Sequence, residues 1–319
     1  MNGRLENELK TNIKIEKILK DQPRYLYEWR DSLLASRKTS ATIRDYLFKV
    51  KKYLQAVDYD INQSDTIKYF ISIQTKNKNG NVTRTSDSYQ QTIWCCLNNF
   101  FSFMVSMNYL DKNYMTMIEK PKNHDLDRIN ENRILLTKND FSKIINSVNR
   151  KSRGYGVKER DLAIMSLFMT TGMRKSALVD INVEDVDFDK KELFVIDKGN
   201  KRHRYPLSDS VLEILNEWMG KRDELDVETP ALFVTTRRTR LSATSVDHIV
   251  DRYAKDALGK HISPHKLRAG VCSIVYEETK DIEFTRRVIG HSNVSTTQRY
   301  IVTNNDEREK ASDFLSSIL

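Results

Sequence analysis

Six residues of this 319-residue sequence have side chains suited to reaction chemistry and stand at the edges of predicted elements. Arg174 ends the segment TTGMR, and Lys198 sits in DKGNK. His265 and Arg268 lie in SPHKLR; His291 follows Ile289-Gly290, and Tyr300 ends STTQRY. A guanidinium carries a permanent charge on a fork of donors that matches the oxygens of a phosphate. Imidazole and ammonium groups move protons. A phenol, with an ordinary pKa of about 10, forms covalent bonds to electrophiles once its proton is drawn off. Taken singly, each residue has an ordinary reading: a helix cap, a solvated turn lysine, a packing tyrosine among fourteen. His261 and His265 stand four apart, but Pro264 interrupts the helix between them and no Glu/His motif supports a zinc pair.

Taken in order, the set resembles the tyrosine recombinase family of the phage-integrase and Xer type. That family carries Arg, Lys, His-x-x-Arg, Gly-His and then Tyr nine residues on. Here TGMR supplies Arg174, and the predicted hairpin turn DKGNKRHRYPL supplies Lys198 twenty-four residues later. SPHKLR supplies His265 and Arg268; IGHSNVSTTQRY supplies His291 and, nine residues on, Tyr300. The match is strong over about residues 137–305, whereas the first part of the chain matches in length and pattern only.

The resemblance implies roles. Tyr300 attacks the scissile phosphate, releases a 5′-hydroxyl and keeps the strand as a 3′-phosphotyrosine. Arg174 and Arg268 hold the charge that grows on the non-bridging oxygens. Lys198 is the general acid, His265 assists proton movement on the nucleophile's side, and His291 donates to a phosphate oxygen. Strands are exchanged in pairs through a Holliday junction. No metal and no other cofactor is expected, and the sequence has no Walker GxxxxGK[ST] motif. Two positions depart from the family. Ala177 stands where many relatives have an acid that orients the first Arg, and Ala269 where relatives often have His. Glu184 or Asp185 is a substitute for orienting a basic residue.

The elements that must position these residues follow from spacing. Ten Gly and five Pro predict a mostly helical chain. Residues 38–58 place Ile43, Tyr46, Leu47, Val50, Tyr53, Leu54 and Val57 on one helical face, with Thr39 or Ser40 as the cap. Short and long helices follow over about 64–74 and 88–108, and a helical turn within 109–119. Residues 76–87, KNKNGNVTRTSD, read as a polar loop. Residues 121–132 lack apolar periodicity and read as a linker. Thr137 starts a helix with Asp140 as its capping-box partner. An apolar helix over 160–170 stops at Gly172, and another starts at Lys175. Strand signals occur only within 186–207. Helices are expected near 208–220, 244–257, 264–278, 282–289 and 306–319, with a helix or turn over 296–300. The fold class is therefore mainly α with a small antiparallel β-sheet. Five segments are expected: an N-terminal extension over 1–21, a helical SAM-like core-binding domain over 22–120, a linker over 121–134, a catalytic domain over 135–305 and a C-terminal helix over 306–319. The resemblance implies that this last helix docks on a neighbouring subunit, with Phe314, Leu315, Ile318 and Leu319 as its face; packing on its own domain is the alternative.

Charge points to the partner. Lys and Arg number 53 against 44 Asp and Glu, a net charge of +9, of which +6 falls in residues 1–128. Such an excess suits a polyanion. The candidate contacts to double-stranded DNA in the first domain are Arg37, Lys38, Arg44, Lys49, Lys51, Lys52, Lys76, Lys78 and Arg84. In the second they are Lys201, Arg202, Arg204, Arg237, Arg238 and Arg240. The resemblance implies a homotetramer on two duplexes, monomeric or dimeric when free, with room for accessory proteins. No apolar run is long enough for a membrane span, and the polar first twenty residues lack a signal-peptide core, so the protein is expected in the cytoplasm. Cys95, Cys96 and Cys272, an odd count without zinc spacing, suit a reducing compartment as core thiols. About twenty residues ahead of the core-binding domain fit a simple recombinase with a short core site better than one with distant arm sites; a Xer-like resolvase and the integrase of a small mobile element both fit this expectation. Two other readings share part of this evidence: a type IB topoisomerase-like enzyme that relaxes DNA, and a DNA-binding protein without catalysis.

Overall fold

The computed structural model describes residues 3–78, 81–122, 136–197, 201–291 and 293–298. Contacts divide the chain into two compact units, Leu5–Arg133 and Ile134–Leu319, with Met1–Arg4 grouped with the second.

The first unit is built on helices α1 (Gly3–Leu19), α2 (Arg24–Ala35), α3 (Ser40–Ala56), α4 (Gln63–Ser72) and α5 (Asp87–Ser106). Thr39 caps α3 by accepting the Thr42 N–H at 3.3 Å. The predicted apolar face is buried at Ile43, Leu47, Val50, Tyr53 and Leu54. It packs with Leu26, Trp29 and Leu33 of α2 and Phe100 and Phe101 of α5 in one core. Trp29 is fully buried, so its indole N–H needs an acceptor and finds Asn99 Oδ1 at 3.0 Å. A 3₁₀ turn, Tyr114–Met117, occupies the stretch read as a short helical turn.

Two sequence expectations are corrected in this unit. Residues 1–21, expected to be an extension, contain α1, and its Ile15 and Leu19 join the core. The supposed loop at 76–87 contains a hairpin, β1 (Thr75–Lys78) and β2 (Asn81–Arg84), paired from Thr75↔Arg84 to Lys78↔Asn81. Strand signals therefore arise in a second place. The hairpin carries no alternating apolar pattern: its one large apolar residue, Val82, is 66% exposed, and backbone pairing joins the strands.

The second unit opens with α6 (Lys138–Lys151). The capping box forms as expected: Thr137 Oγ1 accepts the Asp140 N–H, and the Asp140 carboxylate accepts the Thr137 N–H at 3.0 Å. Helix α7 (Val157–Thr171) is buried nearly all round, with Ala163, Ile164, Met165, Leu167 and Phe168 in the core. That is why residues 162–169 read as a nearly continuous apolar run, broken by Ser166, instead of a stripe. Its Asp161 is fully buried and accepts hydrogen bonds from Arg160, Arg252 and Tyr253 at 2.7–2.9 Å, which compensates its desolvation.

Helix α8 (Lys175–Asp180) leads into an antiparallel sheet, β3 (Val186–Asp187), β4 (Glu192–Asp197) and β5 (Lys201–Pro206), in that order. On β4, Leu193 and Val195 face the core while Phe194 and Ile196 face out, the period-two alternation the sequence showed. The register ends at Asp197↔Lys201, so residues 198–200 join the two strands. Helices α9 (Asp209–Asp223), α10 (Ala243–Leu258), α11 (Pro264–Thr279), α12 (Ile282–Ile289) and α13 (Val294–Gln298) complete this unit. The last begins two residues earlier than expected. Cys96 and Cys272 are buried and Cys95 half-buried, and none of the three is in a disulfide. The expected linker lies largely, and the helix at 306–319 wholly, outside the described residues. Among the described residues no helix is long and apolar enough to cross a membrane.

Candidate active site

Four of the six candidates are described, and each stands where a helix starts or stops. Arg174 is the N-cap residue of α8, with extended backbone. Gly172, two residues earlier, ends α7 in the left-handed conformation (φ 59°). This turn exposes the Gly172 carbonyl, and Arg268 Nη1 donates to it at 2.5 Å. Arg268 lies in the first turns of α11, which Pro264 opens and Ser263 caps. Only 3% of Arg268 is exposed. The helix start thus buries a permanent charge and fixes its direction through one carbonyl. His265 lies on the same first turn, at the solvent edge.

Helix α12 stops at Gly290, again left-handed (φ 74°), and His291 follows. The corner is clasped by Arg286, whose carbonyl accepts the His291 N–H at 3.0 Å and whose Nη1 donates to the His291 carbonyl at 2.7 Å. His203 of β5 lies against this corner: a Cβ on Gly290 would stand 3.0 Å from its ring. His291 is 3% exposed, and its Nδ1 pairs with Thr297 Oγ1 at 3.0 Å.

Electrostatics shows that the four groups share one site. Burial, then Arg268 and Arg174, lower the pKa of His265. Burial, then Arg268, Arg174, His265 and Arg286, lower that of His291 to about 4. Both guanidiniums therefore act on both imidazoles, although chain segments far apart in sequence carry them. A site that holds its imidazoles neutral beside two fixed positive charges is prepared for an anion. Lys198 and Tyr300 lie outside the described residues.

The departures from the family pattern have a local setting. Ala177 is a buried residue of α8 and offers no carboxylate to Arg174. Asp185 caps the 3₁₀ turn Val183–Asp185 by accepting the Asn182 N–H at 2.8 Å, and burial raises its pKa. The cation close enough to counter that rise is Arg240. Sequence reasoning did not foresee the Gly172 carbonyl, Arg286, His203 or Thr297. The first acts through a backbone atom, Arg286 acts through its carbonyl and its side chain together, and the others are ordinary residue types in ordinary positions. Only the Gly at each helix stop hinted at them.

The basic residues named as DNA contacts divide by what holds them. In the first unit Arg37 and Lys38 are exposed, and Arg44 is half-buried. Lys49 pairs with Asp45, Lys51 donates to the Ile18 carbonyl at 3.0 Å, and Lys52 lies over the Phe48 ring. Lys76 and Lys78 are on β1; Arg84, on β2, pairs with Asp87 at 2.9 Å. In the second unit Lys201, Arg202 and Arg204 are on β5, Arg204 paired with Glu192 at 3.2 Å. Arg237 and Arg238 are exposed on a tight loop closed by Thr235. Arg240 differs. Its Nη1 donates to the carbonyls of Val179 (2.8 Å) and Ile181 (3.1 Å), and its Nη2 to Asn182 Oδ1 (2.5 Å). These bonds tie the end of α8 to the following loop, so the cation is engaged inside the unit.

The sequence fits the phage integrase family over residues 135–307, more than half of the chain. The chain belongs to this family. Among curated relatives, tyrosine recombinase XerC of Corynebacterium glutamicum is 38% identical over 146 residues, covering 46% of this chain and 47% of the relative. XerC of Vibrio vulnificus is 33% identical over 213 residues, 64% of this chain and 62% of the relative. The matched stretches thus span about half to three-fifths of those relatives' length. Among solved structures, a XerH site-specific recombinase bound to palindromic difH substrate in a post-cleavage complex superposes with a TM-score of 0.66 at 18% identity. That match covers 87% of this chain and 80% of the other. A lambda integrase tetramer bound to a Holliday junction gives 0.62 at 18%, covering 87% and 76%. At these identities the likeness is one of fold: a mostly helical chain with small antiparallel sheets, of which the sequence led to the expectation of one.

Proposed function

We propose that this phage integrase family member is a site-specific DNA recombinase of Xer type that cuts and rejoins duplex DNA through a 3′-phosphotyrosine. The observation that carries the reading is the convergence of Arg174, Arg268, His265 and His291 on one electrostatic site. Such a site suits a phosphodiester. Two forked cations hold its non-bridging oxygens, whose charge grows as a fifth oxygen approaches phosphorus. Tyr300 is the nucleophile: its oxygen bonds to phosphorus while the bond to the 5′-oxygen breaks. Its proton leaves toward His265, and the 5′-oxygen takes a proton from Lys198. The roles of Tyr300 and Lys198 rest on their sequence positions. His291 donates to a non-bridging oxygen. The same sequence of steps, run from the 5′-hydroxyl of a partner strand, rejoins the DNA and conserves the bond's free energy.

The partners in this reading are a double-stranded recombination site and three further copies of the chain, acting in the cytoplasm. The test is a duplex made from the DNA flanking the gene, nicked near the cleavage point so that the cut strand cannot be resealed. Wild type forms a covalent protein–DNA band, and Tyr300→Phe forms none. A band that persists in Tyr300→Phe removes the nucleophile assignment.

A further inference from the structure

Thr297 lies on α13, fully buried, with its hydroxyl 3.0 Å from His291 Nδ1. Among the described residues that is the hydroxyl's one hydrogen bond. Either atom could supply the hydrogen, and burial decides between the two arrangements. If Nδ1–H donated, the threonine's own hydrogen would be enclosed with no acceptor, which is disfavoured. If the hydroxyl donates, its hydrogen and the Nδ1 lone pair are both satisfied. The ring itself is neutral at pH 7, because burial, the guanidiniums of Arg268, Arg174 and Arg286 and the neighbouring His265 hold its pKa near 4. A neutral imidazole has a single N–H. Its place therefore decides whether the ring offers a donor or a lone pair on the edge away from Thr297.

We propose that Thr297 is a positioning residue for His291: its buried hydroxyl donates to Nδ1 and so holds the imidazole as the tautomer with its proton on Nε2. In that form a ring that carries no charge still donates to an anionic oxygen. The opposite tautomer would direct a lone pair at the same oxygen and oppose its developing charge. Thr297 also stands three residues before Tyr300, so one short segment sets the imidazole and leads into the proposed nucleophile.

The activity arm of this inference rests on the function proposed above; the tautomer itself does not. The test uses the full chain with ¹⁵N-labelled histidine and long-range ¹H–¹⁵N spectra at pH 7. His291 is assigned by its loss in His291→Gln. Wild type and Thr297→Ser are expected to show a proton on Nε2 and a bare Nδ1. Thr297→Val, of nearly the same shape, is expected to show a mixture or a proton on Nδ1. On the nicked flanking duplex, Thr297→Val is expected to form the covalent complex about tenfold more slowly, the effect of about one net hydrogen bond. Thr297→Ser is expected to stay within about twofold, with DNA binding equal in all three. A wild-type ring protonated on Nδ1 overturns the proposal. So does a folded Thr297→Val with an unchanged ring. If Thr297→Val does not fold, the wild-type and Thr297→Ser spectra still decide. A wild type with the proton on Nε2 that forms no covalent complex supports the Thr297 assignment and counts against the proposed function.

Discussion

Two glycines inside helices, Gly220 of α9 and Gly270 of α11, should respond to alanine with opposite signs. In an isolated helix both substitutions gain about 0.8–1.0 kcal/mol, because alanine loses less backbone freedom on folding. At Gly220, which is exposed, a new Cβ meets nothing within 4 Å, so the gain is kept. At Gly270 the Cβ would stand 2.9 Å from Leu136 Cβ and 3.2 Å from two ring carbons of Phe141. Favourable carbon contacts lie at about 3.5–4.0 Å, so α11 or its neighbours must move by several tenths of an ångström. Leu136 Cβ is attached directly to the backbone and cannot swing aside. Overpacking of this kind costs about 1–3 kcal/mol, which exceeds the propensity gain over most of that range. The two variants should therefore differ by about 2 kcal/mol. For a unit of this size that is about 4–8 °C in Tm, with Gly220→Ala above wild type and Gly270→Ala below. Differential scanning calorimetry on the three proteins reads this directly. Gly270 also lies two residues past Arg268, so the displacement loosens that side chain's bond to the Gly172 carbonyl. Covalent-complex formation should fall in Gly270→Ala and not in Gly220→Ala. A Gly270→Ala protein as stable as Gly220→Ala would refute the packing argument.

Three other outcomes follow from the geometry. Gly172→Ala places a side chain at φ 59° with its Cβ 3.0 Å from Ile289 Cδ1; a loss of about 1–3 kcal/mol in urea unfolding is expected, with slower cleavage because the carbonyl holding Arg268 shifts. Arg240→Ala should lower stability by about 2–3 kcal/mol and leave the salt dependence of DNA binding unchanged, because its donors serve two carbonyls and an amide; Arg237→Ala should leave stability unchanged and reduce the salt slope by about one. The folded chain holds His291 at about 4 and the unfolded chain at about 6.5, so the unfolded state takes up the proton first, and stability should fall as pH drops from 6.5 towards 4. His291→Gln should flatten that fall in denaturant titrations at pH 7, 5.5 and 4.5, leaving the part due to His265, whose pKa is lowered in the same direction. An undiminished slope in His291→Gln would assign the acid lability to other groups.

Where burial imposes a pattern, the sequence is readable. The face of α3, the alternation on β4 and the capping box of α6 are each visible because a side chain's place in a core or at a helix end restricts its type. Where backbone pairing alone supports an element, no type is required. The strands of the β1–β2 hairpin are made of Lys, Asn, Thr and Arg with one exposed Val, and their ladder would form equally with other polar residues. Helix α1 is an intermediate case. Ile15 and Leu19 reach the core, but its other residues are mostly polar and leave too thin a stripe to declare a helix. Arg240 shows the limit for charge. Its neighbours Arg237 and Arg238 have the same side chain and the same net effect on composition, and its bonds to Val179, Ile181 and Asn182 distinguish it.

The four described candidates stand where the sequence itself is punctuated. Each is at an element boundary: Arg174 caps α8, His265 and Arg268 open α11, and His291 follows the stop of α12. Helix ends leave backbone groups without helical partners, and the chain can change direction there only through special residues. Gly172, Pro264 and Gly290 are those residues, so punctuation and chemistry coincide within a few positions of sequence. The arrangement also explains how a site assembled from distant segments stays rigid. Arg268 takes its orientation from the carbonyl at one stop, and His291 is clasped by Arg286 at another. Both stops share a core, since a Cβ on Gly172 would touch Ile289 of α12 and Val271 of α11. A change at either glycine would therefore reach both the cation and the imidazole through the backbone, with no contact to DNA required.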